Sequence, residues 1–192
     1  EQRMNAMMSV IGYFAGLIEK RRAEPREDLL SYVLAQNIDG KPIPDQDILD
    51  FCLLMFMAGL DTVATQIGYN FHHLATHPED RARLNADPSL WSSAIEELLR
   101  YYSFVTPSRK AMSDTEIAGC PIKAGEMVHL PLVAANRDPR EFENADKVII
   151  DRAVNRHIAF GAGPHRCLGS HLARAELLTT MKMWHERDRK ST

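Results

Sequence analysis

Phe160-Gly-Ala-Gly-Pro-His-Arg-Cys-Leu-Gly169 is the stretch on which the reading of this chain turns. Gly161, Gly163 and Gly169 permit tight turns and close backbone approach that a side chain would block. Pro164 fixes one φ in the middle of the loop and withholds a donor. Beyond Cys167, the run Leu-Gly-Ser-His-Leu-Ala-Arg-Ala-Glu-Leu-Leu at 168–178 predicts a helix with Leu172, Ala175, Leu178 and Thr179 on one side. A sulfur at a helix start faces unpaired backbone N–H groups and the positive end of the dipole. That setting suits an anionic sulfur, the form that attacks electrophiles or binds metal. The loop is built to present a thiolate against something flat or bulky.

The surrounding composition narrows the classes. The 192 residues are 45% hydrophobic and 26% charged, enough to bury a core as one large or two small domains. A formal net charge of −3 argues against a nucleic-acid partner, which calls for a basic stripe. The three cysteines, Cys52, Cys120 and Cys167, are odd in number and widely spaced, so they form no disulfide framework and point to a reducing, cytoplasmic compartment. The longest apolar run, Phe51 to Leu60, ends at Asp61 and is too short to span a bilayer, so no membrane anchor is expected. The first residue is Glu1 rather than Met, which reads as a fragment.

Upstream of the loop the pattern is helical. Apolar positions at helical spacing fill 4–22 and end in Glu-Lys-Arg-Arg. Pro25 opens a shorter helix through Leu34, closed by the turn at 37–42. From Asp45 to about Ala75 a single helix of roughly 45 Å is expected. Pro78 opens a short helix, and Asp87-Pro88 caps another running to Tyr102. After Ser103 short β-like pieces (110–113, 116–118, 127–130) alternate with turns, and 136–139 and 143–146 read as irregular loop. The class is mainly α with a small β portion: a helical part at 1–102, a β and loop part at 103–156, and the cysteine loop with a final helix at 157–192.

Three further clusters carry chemistry. Within the long helix, Ala58-Gly59-Leu60-Asp61-Thr62 sets two small residues beside an acid and an alcohol. The small pair opens a notch, Thr62 can bond back to a carbonyl, and hydroxyl with carboxylate suits proton relay to a small polar ligand. A helix crossing point with Asp61 facing water is the competing reading. Glu97 and Arg100 stand at i, i+3 on one face, either as a solvated pair or, given bulky neighbours such as Trp91 and Tyr101, as a buried one needing more partners. Around the cysteine lie His157, His165 and His171 with Arg156, Arg166 and Arg174. Cys167 with two or three histidines could ligate zinc. Alternatively Cys167 is the sole ligand, with His and Arg holding anionic groups of a cofactor. His72, His73 and His77 at a helix end read as surface residues.

Taken together, these marks resemble the cytochrome P-450 family of haem-thiolate monooxygenases. Phe160-x-x-Gly163-x-His165-x-Cys167-x-Gly169 is similar to the family's cysteine-loop signature. Ala-Gly-x-Asp-Thr at 58–62, Glu-x-x-Arg at 97–100 and Ala135-Asn-Arg-Asp-Pro139 precede it in family order. His165 is similar to the soluble bacterial branch. The resemblance implies a partial P-450 fold, the C-terminal half of one domain that stops before the family's final β hairpin.

Carried onto this sequence, the resemblance makes Cys167 the axial ligand of haem iron in haem b, with sulfur favouring O–O cleavage. Phe160 packs near the sulfur, and Gly163 and Gly169 let backbone approach the porphyrin. Arg109, His157 and His165 match positions that hold the propionates. Asp61 and Thr62 deliver protons to bound dioxygen, in the space left by Ala58 and Gly59. Glu97, Arg100 and Arg152 form a structural set, although Val148-Ile-Ile-Asp-Arg152 departs from the family's usual Phe-Asp before the arginine. Substrate contacts fall to Leu54, Met57, Ala58, Val105 and Thr106, whose apolar character implies a small apolar substrate.

The implied activity is insertion of one atom of O2 into that substrate, with electrons from a ferredoxin or flavin-type partner. Arg166, Arg174 and Lys182 either meet that partner or are a solvated face. The alternatives are a haem- or zinc-binding module without turnover, and a fragment that neither holds haem tightly nor turns over.

Overall fold

Caps and turn residues set most element boundaries in the computed structural model, which describes residues 2–188. The chain divides into two compact units, one up to Thr62 and one from Val63. The division runs inside a helix and not at the texture changes near 102 and 156.

In the first unit, α1 (Gln2–Ala23) ends in Lys20, Arg21 and Arg22, cations that suit the negative end of its dipole. The second helix, α2 (Leu29–Leu34), starts four residues later than the Pro25 signal predicts, because Asp28 supplies the cap: its Oδ1 accepts the Ser31 N–H at 2.8 Å. That bond, with a second from Arg21, holds the Asp28 carboxyl at about 2. A hairpin of β1 (Asn37–Ile38) and β2 (Lys41–Pro42) turns on Asp39 and Gly40, and α3 (Asp45–Thr76) follows. Ile18, Leu30, Ile48 and Cys52 form the buried core of this unit.

The second unit takes the rest of α3, then α4 (Pro78–Ala86), a 3-10 turn at Pro88–Leu90 and α5 (Trp91–Tyr101). Two antiparallel pairs come next: β3 (Ser108–Lys110) with β6 (Met127–His129), and β4 (Thr115–Ile117) with β5 (Cys120–Ile122). A short α6 (Leu132–Ala135) and the long α7 (Ser170–Asp188) complete it. The chain is therefore mainly helical with small sheets. The core joins Trp91, Ala94, Ile95 and Leu99 of α5 to Leu177 and Met181 of α7, with Leu74, Leu84 and Ile150.

Several expectations need correction. β5 lies where Cys120-Pro121 reads as a turn; in a two-stranded sheet every strand is an edge, so Pro121 loses no essential donor opposite Glu116. Helix α6 is too short to show a period. The packed side of α7 is Ser170, Leu177, Met181 and His185, whereas Leu172, Ala175 and Thr179 are exposed. Apolar residues lie on two faces of that helix, and its packing against α5 chooses between them.

The second half of α3 carries a buried polar stripe at Gln66, Asn70 and His73, with i, i+4, i+7 spacing. Gln66 Nε2 donates to Asn70 Oδ1 at 2.9 Å and to the Leu98 carbonyl at 3.3 Å. His73 is not a surface residue. It is 1% exposed, with Nε2 2.9 Å from Asp80 Oδ2 and Nδ1 3.1 Å from the Tyr102 hydroxyl. Burial pushes its imidazole below the usual value, against a smaller upward pull from Asp80. By length and composition alone α3, with a window of mean hydropathy 1.7, could cross a membrane. The sequence expectation counted only Phe51 to Leu60.

Candidate functional site

The cysteine loop is held by its own backbone. Gly161 and Gly163 take φ of +71° and +72°, a region where a Cβ is strained, so glycine is required at both for the turn itself. The Gly161 N–H donates to the Ile158 carbonyl at 2.8 Å, and the Arg166 N–H closes the short 3-10 turn on Gly163 at 3.1 Å. The Cys167 N–H donates to the Phe160 carbonyl at 2.8 Å, so the two ends of the loop are tied at the cysteine. Cys167 itself is exposed, three residues ahead of α7. Gly169 has no left-handed φ, and a Cβ at Gly163 or Gly169 would meet nothing within 4 Å among the described residues.

Beneath the loop lies a lattice of buried charge. Arg100 and Glu97 are both 0% exposed, and Arg100 uses all five of its N–H groups. Nε and Nη2 donate to the two Glu97 oxygens at 2.8 and 2.7 Å. Nη1 donates to the Asn136 and Ala145 carbonyls, both at 2.8 Å, and Nη2 also to the Lys147 carbonyl at 2.7 Å. Glu97 further accepts from Arg152 Nε at 2.9 Å, Asn155 Nδ2 at 3.0 Å and the Ile149 N–H at 2.9 Å. Burial would push the Glu97 carboxyl up, but the bonds from Arg100, Arg152 and Ile149 outweigh it and hold it below the usual range.

A second network lies beside the first. Glu96 Oε1 accepts from Arg174 Nε at 2.7 Å, and Oε2 accepts from Arg174 Nη2 and stands at 2.9 Å from His157 Nε2. Burial opposes ionisation of Glu96, yet the His157 and Arg174 bonds hold its carboxyl at about 2. The same pairing raises the Arg174 guanidinium, with the Cys167 sulfur a lesser contributor in the same direction. His157, expected at a cofactor's rim, is instead 3% exposed, and its Nδ1 accepts the Ala159 N–H at 3.2 Å. Both ring nitrogens are engaged, which leaves no donor for a propionate. Arg174 is likewise an ion-pair partner and not a free surface cation.

The remaining expected residues are more open. On α3, Leu54, Met57, Ala58, Asp61 and Thr62 share one exposed face by their spacing, and Gly59 is exposed beside them. Thr62 Oγ1 donates to the Ala58 carbonyl at 2.9 Å, and the helix continues through it unbroken. Val105 and Thr106 are exposed between α5 and β3. Arg109, on β3, is exposed and donates to the neighbouring Ser108 carbonyl at 2.9 Å. His165 is exposed and makes no hydrogen bond among the described residues.

This donor set separates the two metal readings. Among the described residues no three His, Cys, Asp or Glu side chains group as metal ligands, so the zinc reading does not fit. The exposed Cys167 sulfur on its glycine loop, with Arg109 and His165 available for carboxylates, fits a haem held by a single cysteine.

Sequence reasoning missed three residues. Glu96 is hidden by its neighbour Glu97. Asn136, 0% exposed, donates through Nδ2 to Ser103 at 2.6 Å and accepts the Ile158 N–H through Oδ1 at 2.8 Å, tying the chain just after α5 to the segment before the loop. Arg137 caps α5 by donating to the Tyr101 carbonyl at 2.6 Å. The Ala135-to-Pro139 motif contained the signal for the last two, because an Asn-Arg pair in a supposed loop is well suited to bonding backbone.

A sequence model described as Cytochrome P450 matches residues 1–88 and 89–184. A probable cytochrome P450 127A1 from Sinorhizobium fredii is 38% identical over 184 residues, 96% of this chain and 44% of its own length. The vitamin D(3) 25-hydroxylase of Pseudonocardia autotrophica is 41% identical over 89% of this chain and 43% of its own. CYP109E1 from Bacillus megaterium, solved in complex with testosterone, superposes with a TM-score of 0.92 at 35% identity, covering 96% of this chain and 52% of that one. The chain thus spans about half the length of these relatives. From the glycine-bracketed Cys167 to the buried Glu97–Arg100 lattice and the match along both halves of its length, this chain belongs to the cytochrome P450 family.

Proposed function

We propose that this chain supplies the cysteine side of a haem-thiolate monooxygenase that acts on a small apolar molecule. The observation that carries the reading is the exposed Cys167, hung by its N–H from the Phe160 carbonyl on a glycine loop, with no cluster of three metal ligands among the described residues. Cys167 would hold the iron of haem b, which when bound supplies the chemistry of O2 activation. Arg109 and His165 would bind the propionates by charge-assisted bonds. Phe160 would wall the sulfur, and Gly163 and Gly169 would admit the ring.

The relay falls to α3. Thr62, already bonded to the Ala58 carbonyl, would turn its hydroxyl to donate a proton, and Asp61 would replenish it from water. Ala58 and Gly59 would leave the room this needs. Leu54, Met57, Ala58, Val105 and Thr106 would contact substrate. The relatives' vitamin D(3) hydroxylation and testosterone binding support an apolar class. One oxygen atom enters the substrate and the other leaves as water, with two protons and two electrons. The electrons would come from a ferredoxin or flavin-type partner, with Arg166 and Lys182 as docking cations. The protein would work in the cytoplasm without a membrane. Asp61 and the buried Gln66–Asn70–His73 stripe support α3 as a core helix and not a span.

The test is optical. Reduced, CO-treated, haem-loaded protein should show the strongly red-shifted thiolate Soret band, and Cys167→His should abolish it. Thr62→Ala should then divert electrons to peroxide; unchanged coupling would remove Thr62 from the relay.

A further inference from the structure

The Glu97–Arg100–Arg152 lattice explains how the segment before the cysteine loop is anchored, but it does not reach Phe160. The Glu96 network does. Its carboxylate is saturated by three bonds, two from the Arg174 fork and one with His157 Nε2. Both partners lead to Phe160. The Arg174 guanidinium lies over the Phe160 ring, 4.6 Å from its centroid, a cation–π contact. His157 Nδ1 accepts the N–H of Ala159, the residue before Phe160. That bond fixes the His157 proton on Nε2, where it is donated to Glu96. Phe160 is therefore gripped through its ring and through the backbone beside it, and its carbonyl holds the Cys167 N–H at 2.8 Å.

We propose that Glu96, Arg174 and His157 form a positioning clamp that fixes the Phe160 carbonyl and thereby the place of the Cys167 sulfur. The proposal rests on Cys167 being the haem ligand. Packing of α5 on α7 would require the Glu96–Arg174 pair alone. It would call for neither the stacked ring nor a buried histidine turned to the Ala159 N–H.

The haem-loaded protein tests this with Glu96→Gln, Arg174→Gln and Arg174→Lys. Arg83→Gln, which breaks the exposed Arg83–Asp151 pair at 2.7 Å, serves as the control. Two readouts are followed: the red-shifted share of the reduced CO spectrum, and hydrogen exchange of the Cys167 amide. Arg174→Gln and Glu96→Gln should cut the red-shifted share several-fold and speed Cys167 exchange on the order of tenfold. Arg83→Gln should change neither. Arg174→Lys keeps the charge opposite Glu96, and so the fold, but loses the planar stack; it should still speed Cys167 exchange. Wild-type values of both readouts in the clamp variants, or equal losses in Arg83→Gln, would overturn the clamp and leave the monooxygenase reading standing. A wild-type protein that binds haem without the red-shifted band would overturn both.

Discussion

Replacing Arg100 by lysine keeps the charge and removes the fork, and the structure sets the cost. Five N–H groups of Arg100 meet five acceptors: two Glu97 oxygens and the carbonyls of Asn136, Ala145 and Lys147. An ammonium has three donors from one point. At least two acceptors therefore lose their partner at a site with no exposure, where each orphan costs about 1–3 kcal/mol. The total, about 2–6 kcal/mol, brackets the usual cost of about 3–5 kcal/mol for breaking a buried ion pair. Urea unfolding followed by far-UV circular dichroism should show the Arg100→Lys midpoint lowered by roughly 2 M. Arg83→Lys, at an exposed pair, should stay within about 0.5 kcal/mol of the parent. If Arg100→Lys unfolded at the same urea concentration as Arg83→Lys, the carbonyl lattice would not be what holds this region.

Other outcomes follow from the same geometry. Glu96 falls from 4.5 to about 2 on folding, so its stabilisation is whole above pH 4.5 and is lost as pH drops towards 2; Glu96→Gln should flatten the unfolding midpoint over that window. His73 is also shifted down, so its neutral form favours the fold above its ordinary value of 6.5, and stability should decline as pH falls below that. His73→Gln should remove that decline in a melting-temperature series from pH 7.5 to pH 5. Ala118 turns the β4–β5 hairpin at φ +50° ahead of Gly119 at +82°, so Ala118→Asn should raise stability by roughly 0.5–1 kcal/mol in the same denaturation assay. Asn136→Leu removes both the Ser103 and Ile158 bonds in a buried site and should cost about 2–6 kcal/mol by urea titration, the sum of two orphaned partners.

What was legible in the sequence was local. Glycines around Cys167, the i, i+3 spacing of Glu97 and Arg100, and the long apolar period of α3 each report on neighbours within a turn or a loop. What was not legible depended on long-range partners. The partner of the buried His157 Nε2 is Glu96, 61 positions away. Arg174 reads as a surface cation until Glu96 and Phe160 are brought beside it. The buried side of α7 could not be chosen from its own residues, because Leu172 and Leu177 are equally apolar and only α5 distinguishes them. His73 shows the same limit: a histidine among three at a helix end looks solvated until Asp80 and Tyr102 close over it.

The carbonyls that receive Arg100 and Arg152 come from residues 136, 143, 145 and 147, all main chain. Glu97 neutralises only one of the two guanidinium charges, and peptide dipoles spread the other over this segment. At its exposed positions such a segment is constrained in path but not in lettering. Arg140, Glu141 and Glu143 are exposed, and any residue that follows the same backbone offers the same oxygens. Over evolutionary drift the exposed positions of the stretch can therefore exchange side chains freely, while Asn136, Phe142 and Ala145 stay buried and its length stays fixed. One inserted residue would turn a carbonyl away from a buried cation, whereas many substitutions would leave no trace.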